Sequence, residues 1–171
     1  SMMFNLDACN GCTACDLAST RQSVVISRGN PAAPLMLIGE APGAQEDAEG
    51  RPFVGRSGRA LDALLQEVGL EPDRDLYICN ALKCRPPNNR RPKKGELRSC
   101  RPWLDQQLSL VNPAVIVLTG ATAVEAILGS RCVGRDHASN LGWCLGRDVH
   151  VPQRLAHHLA STANRSGHER R

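Results

Sequence analysis

Aromatic side chains are scarce here: two Phe, one Tyr and two Trp among 171 residues. Long apolar runs are missing as well. No stretch reaches the roughly 18 residues that a membrane-spanning helix needs, and the N-terminus lacks the charged-then-apolar order of a secretory signal. An intracellular, cytoplasmic protein with no membrane partner is therefore expected. There is no internal repeat, and no strong excess of one charge. The 21 Lys and Arg stand against 17 Asp and Glu, a net charge of +4, which permits a polyanionic partner without requiring one. At this length the chain suits one domain with a core of ordinary size. Ser1-Met2 reads as a cloning remnant.

Cysteine is present in excess, with eight residues. In a reducing compartment they argue for metal binding rather than a disulfide framework. Cys12-x-x-Cys15 is half of a metal-ligand signature, because two thiolates on one turn can grip a single centre. Cys84, in a Pro-rich loop, and Cys100, near the start of a helix, are candidates for the other half. Four thiolates suit zinc or an iron–sulfur cluster, and spacing does not choose between them. Cys79, Cys144 and Cys132 read as small buried hydrophobes, and Cys9 ranks behind Cys15 as a ligand.

The stretch from Gly39 to Gly58 organises the rest. It lies between an apolar run, Leu35 to Ile38, and a helical pattern from Gly58 to Val68 closed by Gly69, so it reads as a strand-to-helix loop. In open α/β sheets ligands bind at such loops, beyond the carboxyl ends of the strands. Five glycines and two prolines fix its backbone, while Glu40, Glu46 and Asp47 surround one aromatic, Phe53. A solvated surface loop is the plain alternative, but long loops between core elements are usually functional.

Further strands are expected at Leu76 to Cys79, Ala114 to Leu118 and Arg147 to Val151. Helices are expected from Gly95 to Leu110, stopped by Asn112-Pro113, and from Gly120 to Leu128. A short extended piece is expected at Ser23 to Ile26. Strands alternating with helices imply a parallel sheet with right-handed crossovers. Basic residues concentrate between Lys83 and Arg101, a candidate phosphate-contacting surface.

Cys12-x-x-Cys15, the Gly39 loop, Asn80 and the run Lys83-Cys84-Arg85-Pro86-Pro87-x-Asn89-Arg90 together resemble the family 4 uracil-DNA glycosylases, over roughly Cys12 to Gly129. The resemblance implies an α/β/α sandwich around a four-stranded parallel sheet, with residues 3–151 as the glycosylase domain and 152–171 as a polar tail. It also implies a [4Fe–4S] cluster on Cys12, Cys15, Cys84 and Cys100, and a monomer acting on uracil in single- or double-stranded DNA. Phe53 would stack on the flipped uracil, Asn80 would read its polar edge, and Ala41 and Gly43 would lie against the substrate. Glu46, then Glu40, are the candidates to activate water, and Asp47 would orient the loop. Other uracil glycosylase families carry a water-activating aspartate where this chain has Ala41.

One segment departs from the family. Its usual His-Pro-x-x-Leu-Leu-Arg, whose histidine donates to uracil O2, is absent, and His157 is the nearest positional substitute, with His158 the alternative. A moved histidine, a domain that binds without efficient catalysis and a reading-frame change are competing explanations. Two other functions stay open: a cluster-bearing module that recognises uracil or damaged DNA with little catalysis, and a zinc-stabilised α/β domain with another small substrate.

Overall fold

The computed structural model describes residues 5–128. The central strand, β2 (Leu35–Gly39), pairs in parallel with β3 (Leu76–Asn80) on one side and β4 (Val115–Leu118) on the other. A two-residue strand, β1 (Arg28–Gly29), adds to β3 antiparallel, so the order is β1-β3-β2-β4. The extended piece expected at Ser23 to Ile26 thus falls a few residues later. The strand expected at Arg147 to Val151 lies outside the described residues, as do Cys132, Cys144, His157, His158 and the tail from 152 on.

Alternation along β2 decides the layers. Met36 and Ile38 join Tyr77, Cys79, Leu104, Val111 and Ala123 in one buried cluster, under α4 (Lys94–Val111) and α5 (Ala121–Leu128). Leu37 points the other way, with Leu76, Ile78 and Leu65 of α2 (Arg56–Glu67). Side chains of period two that are apolar at every position must be covered on both faces. The result is a sheet between two helical layers.

Two expectations are corrected. The stretch from Gly39 to Gly58 is not continuous loop, because Ala44–Glu49 forms a helix, α1. Glu46 and Asp47 fall in its first turn, where the helix dipole favours carboxylates, and the flanking glycines obscured that signal. The helix after the loop also begins two residues early, at Arg56. Asp47 is buried and accepts hydrogen bonds from the Gln22 and Ser23 backbone N–H groups at 2.9 and 3.1 Å, so it anchors α1 to the N-terminal segment. That segment consists of two 3₁₀ turns, Leu6–Gly11 and Asp16–Ser19. A short helix, α3 (Pro72–Asp75), leads into β3.

Candidate active site

The register of β2 on β3 sets Gly39 directly beside Asn80 at the carboxyl end of the sheet. A side chain on Gly39 would overlap the Phe53 ring and stand 2.5 Å from Asn80 Oδ1. The missing Cβ is what lets ring and carboxamide meet. Phe53 itself has φ of 53°, the left-handed region that costs a residue with a side chain about 1–3 kcal/mol unless the surroundings impose it. Two neighbours do. Gly58 packs its bare Cα against the Phe53 backbone, where a methyl group would collide with the carbonyl. The Arg28 guanidinium, 5% exposed, donates to the carbonyls of Pro52 (2.9 Å) and Phe53 (3.3 Å) and is itself paired with Asp62 at 2.7 Å.

These groups open into a cleft of about 330 Å³, within the size range of small-ligand sites. Glu40, Ala41, Gly43, Glu46, Phe53 and Asn80 all line it, so every expected substrate-binding or catalytic residue within the described chain is brought together. Asn80 is 3% exposed. Thr122 Oγ1 donates to Glu40 Oε2 at 2.5 Å, which fixes that carboxylate. Glu46 curls back over its own N-terminal turn, its carboxylate packing toward Gly43 and Gly55.

The cleft also has walls that sequence reading did not assign: Ser57, Pro86, Asn89, Arg90 and Thr119. Arg90 makes a two-pronged pair with Glu96, both bonds 2.8 Å, and the Lys93 N–H donates to the same carboxylate. The Arg90 guanidinium holds the Glu96 carboxyl below its ordinary value. Arg28 gave no signal at all in the sequence, and Asn89 and Arg90 stood out only as members of the Lys83 to Arg90 motif, with no role assigned.

That run does not form one surface. Lys83 is 1% exposed, buried rather than facing a phosphate. Arg101 pairs with Asp105, and Arg91 with Glu125. Lys93, Lys94 and Arg98 do remain exposed.

Behind the cleft, Cys12, Cys15, Cys84 and Cys100 line a single recess together with Cys9, Leu17, Leu82 and Trp103. Three of the sulfurs accept N–H groups: Cys12 from Trp103 Nε1 at 3.3 Å, Cys100 from the Lys83 backbone at 3.4 Å, and Cys84 from Arg21 Nη1 at 3.6 Å. Burial pushes the Cys100 thiol up to about 11 and that of Cys9 to about 12. Cys84 is raised by burial too, with Arg21 opposing. Cys79 sits apart, in the sheet core.

The model of the uracil DNA glycosylase superfamily matches residues 26–169. The chain belongs to this superfamily. Among similar glycosylases, the type-4 uracil-DNA glycosylase of Thermotoga maritima is 43% identical over 140 residues, covering 81% of this chain and 72% of that protein. The type-4 uracil-DNA glycosylase of Sulfurisphaera tokodaii is 44% identical over 117 residues, 68% of this chain and 53% of the relative. A type-5 uracil-DNA glycosylase of Thermus thermophilus is 40% identical over 114 residues, 58% of this chain and 52% of that protein. The chain thus spans about half of some glycosylases that it matches and nearly three quarters of another. No helix among the described residues is long and apolar enough to cross a membrane.

Proposed function

We propose that this chain is a uracil-DNA glycosylase that hydrolyses the N-glycosidic bond of deoxyuridine in single- or double-stranded DNA, acts as a monomer and opens base excision repair. The observation that carries the reading is the meeting of the Phe53 ring and the Asn80 carboxamide over Gly39. A base can be processed only after it leaves the stack, and it is then held by an aromatic face and by hydrogen bonds to its Watson–Crick edge. Asn80 Oδ1 accepts from uracil N3–H and Nδ2 donates to O4. Cytosine offers the opposite pattern, and its rejection follows from the buried groups it would leave unpaired.

In the reaction water oxygen bonds to C1′ as the C1′–N1 bond breaks, and the bonding pair leaves with the base. A water proton goes to a carboxylate, and uracil takes up a proton. Glu46 is the acceptor favoured here, because Glu40 is already held by the Thr122 hydroxyl. Ala41 and Gly43 complete the backbone wall. His157, outside the described residues, is proposed as the donor at uracil O2, where charge accumulates in the transition state.

Cys12, Cys15, Cys84 and Cys100 would hold a [4Fe–4S] cluster. A cluster gives each thiolate its own iron, and N–H groups aimed at sulfur are the kind of contact that tunes one. When bound, it would supply a cross-link between the N-terminal segment, the loop after β3 and α4.

A uracil-containing oligonucleotide incubated with the protein and then treated with alkali should be cut at the uracil. An intact strand after incubation with excess protein would overturn the assignment.

A further inference from the structure

Between the cleft and the recess lies a lysine that the chemistry above does not use. Among the described residues Lys83 is one of the largest fully buried side chains, and no carboxylate pairs with it. Its Nζ donates to the Asn80 backbone carbonyl and to Gln107 Oε1, both at 2.5 Å. Gln107 is held in turn by donating to Ile26 O (2.9 Å) and Tyr77 Oη (3.0 Å). The Lys83 backbone N–H points the other way, onto Cys100 Sγ, and the next residue is Cys84.

Buried ammonium groups are expensive unless charge or hydrogen bonds compensate them, and an apolar residue would fill this space at lower cost. Two neutral oxygens satisfy donors but not charge. Lys83 lines the same recess as Cys12, Cys15, Cys84 and Cys100, so the thiolates of a bound cluster would supply the missing negative charge. We propose that Lys83 is a positioning residue that ties base recognition to the state of the cysteine recess, pinning the Asn80 main chain while its own backbone rests on a cluster ligand. The inference builds on Asn80 as the uracil reader. It makes the segment from Asn80 to Cys84 a single strut: Ala81 and Leu82 donate to the carbonyls of Gly39 and Glu40 on the cleft side, and Cys84 and Cys100 hold the other end. Loss of the cluster then loosens uracil recognition without removing any residue of the cleft.

The test is Lys83→Met in the cluster-loaded protein, with three readouts: inhibition by free uracil, affinity for abasic-site DNA, and the reduction potential of the cluster. Uracil inhibition should weaken by about tenfold, the loss expected for one charge-assisted hydrogen bond. Abasic DNA affinity should hold, because phosphate contacts are untouched, and the potential should move negative as a nearby cation disappears. Unchanged uracil inhibition, or an equal fall in both affinities, overturns the proposal. Should Lys83→Met be insoluble, Gln107→Glu decides: a carboxylate there draws the ammonium off Asn80, and the same split between the two affinities is expected. Asn80→Ala separates the layers of the argument. If it leaves uracil inhibition intact, the reading of Asn80 fails; if it abolishes inhibition while both other variants behave as the parent, only the role of Lys83 fails.

Discussion

The cleft and the cysteine recess are neighbours built by opposite means. The cleft rests on adjacent strands in fixed register, Gly39 beside Asn80, and its rear is tied by the Ala81 and Leu82 N–H groups donating to Gly39 and Glu40. The recess is assembled from segments far apart in the chain: the link between the two 3₁₀ turns, the loop after β3 and the second turn of α4. Three of its sulfurs accept N–H groups at 3.3 to 3.6 Å, and Cys15, Cys84 and Cys100 pack with Leu17 and Leu82. Backbone pairing sets the shape of the first, whereas side-chain packing holds the second. Burial sharpens this, since the Cys100 thiol, pushed up to about 11, stays protonated at neutral pH unless a bound metal displaces the proton.

The contrast is broken most severely at the recess. Cys84→Ala should lose the yellow-brown colour, the iron and much of the solubility together, as metal analysis and sedimentation would show. Colourless parent protein with stoichiometric zinc would instead overturn the cluster. Chelation should sharpen the same point: hydrogen exchange should accelerate in residues 6–21 while β2 and β3 stay protected. Equal loss of protection in the sheet would mean that the two regions are not independent.

Gly39→Ala comes next, because it attacks the cleft alone. Its methyl group displaces either the Phe53 ring or the Asn80 carboxamide, and misplacement of about 1 Å costs on the order of 10² in rate. Single-turnover cleavage should fall at least that far with iron content unchanged. Phe53→Ala should do less, removing stacking of about 1–3 kcal/mol per base; weakened uracil-DNA binding should accompany an unchanged or lowered melting temperature, because alanine keeps a Cβ in the left-handed position and gives up the ring's packing on the Leu37 cluster.

The smallest effect is acidic. The Glu96 carboxyl is depressed in the fold, chiefly by Arg90. Its ionised form is therefore favoured in the native state, and its contribution to stability is complete above the ordinary carboxylate range and lost as pH falls through the folded value. Glu96→Gln should lower stability modestly at neutral pH and converge with the parent in acid, so the acid limb of the stability profile flattens. A steeper acid limb in the variant would reverse that sign.

Much of this was legible beforehand because it is local. The continuous apolar run at Leu35 to Ile38, the Asn112-Pro113 stop and the crowding of Phe53, Glu40 and Glu46 into one glycine-rich stretch each express a short-range preference. Helix α1 was missed because Gly43 and Gly50 flank only six residues, too few for a visible period. Lys83 reads as part of a basic surface because it opens a stretch rich in Arg and Lys, while its neighbours in space are a carbonyl and an amide.

The sequence by itself determined the strand and helix order, the acid-rich loop with its single aromatic, and the four cysteines to be gathered, since these follow from side-chain type and spacing. Only the tertiary structure decided that Gly39 lies beside Asn80, that Arg28 reaches the Phe53 carbonyl, and that Lys83 turns inward between cleft and recess. The physical reason is that strand register and burial are set by residues distant in the chain, so a spacing pattern carries no record of which partner will stand at 3 Å.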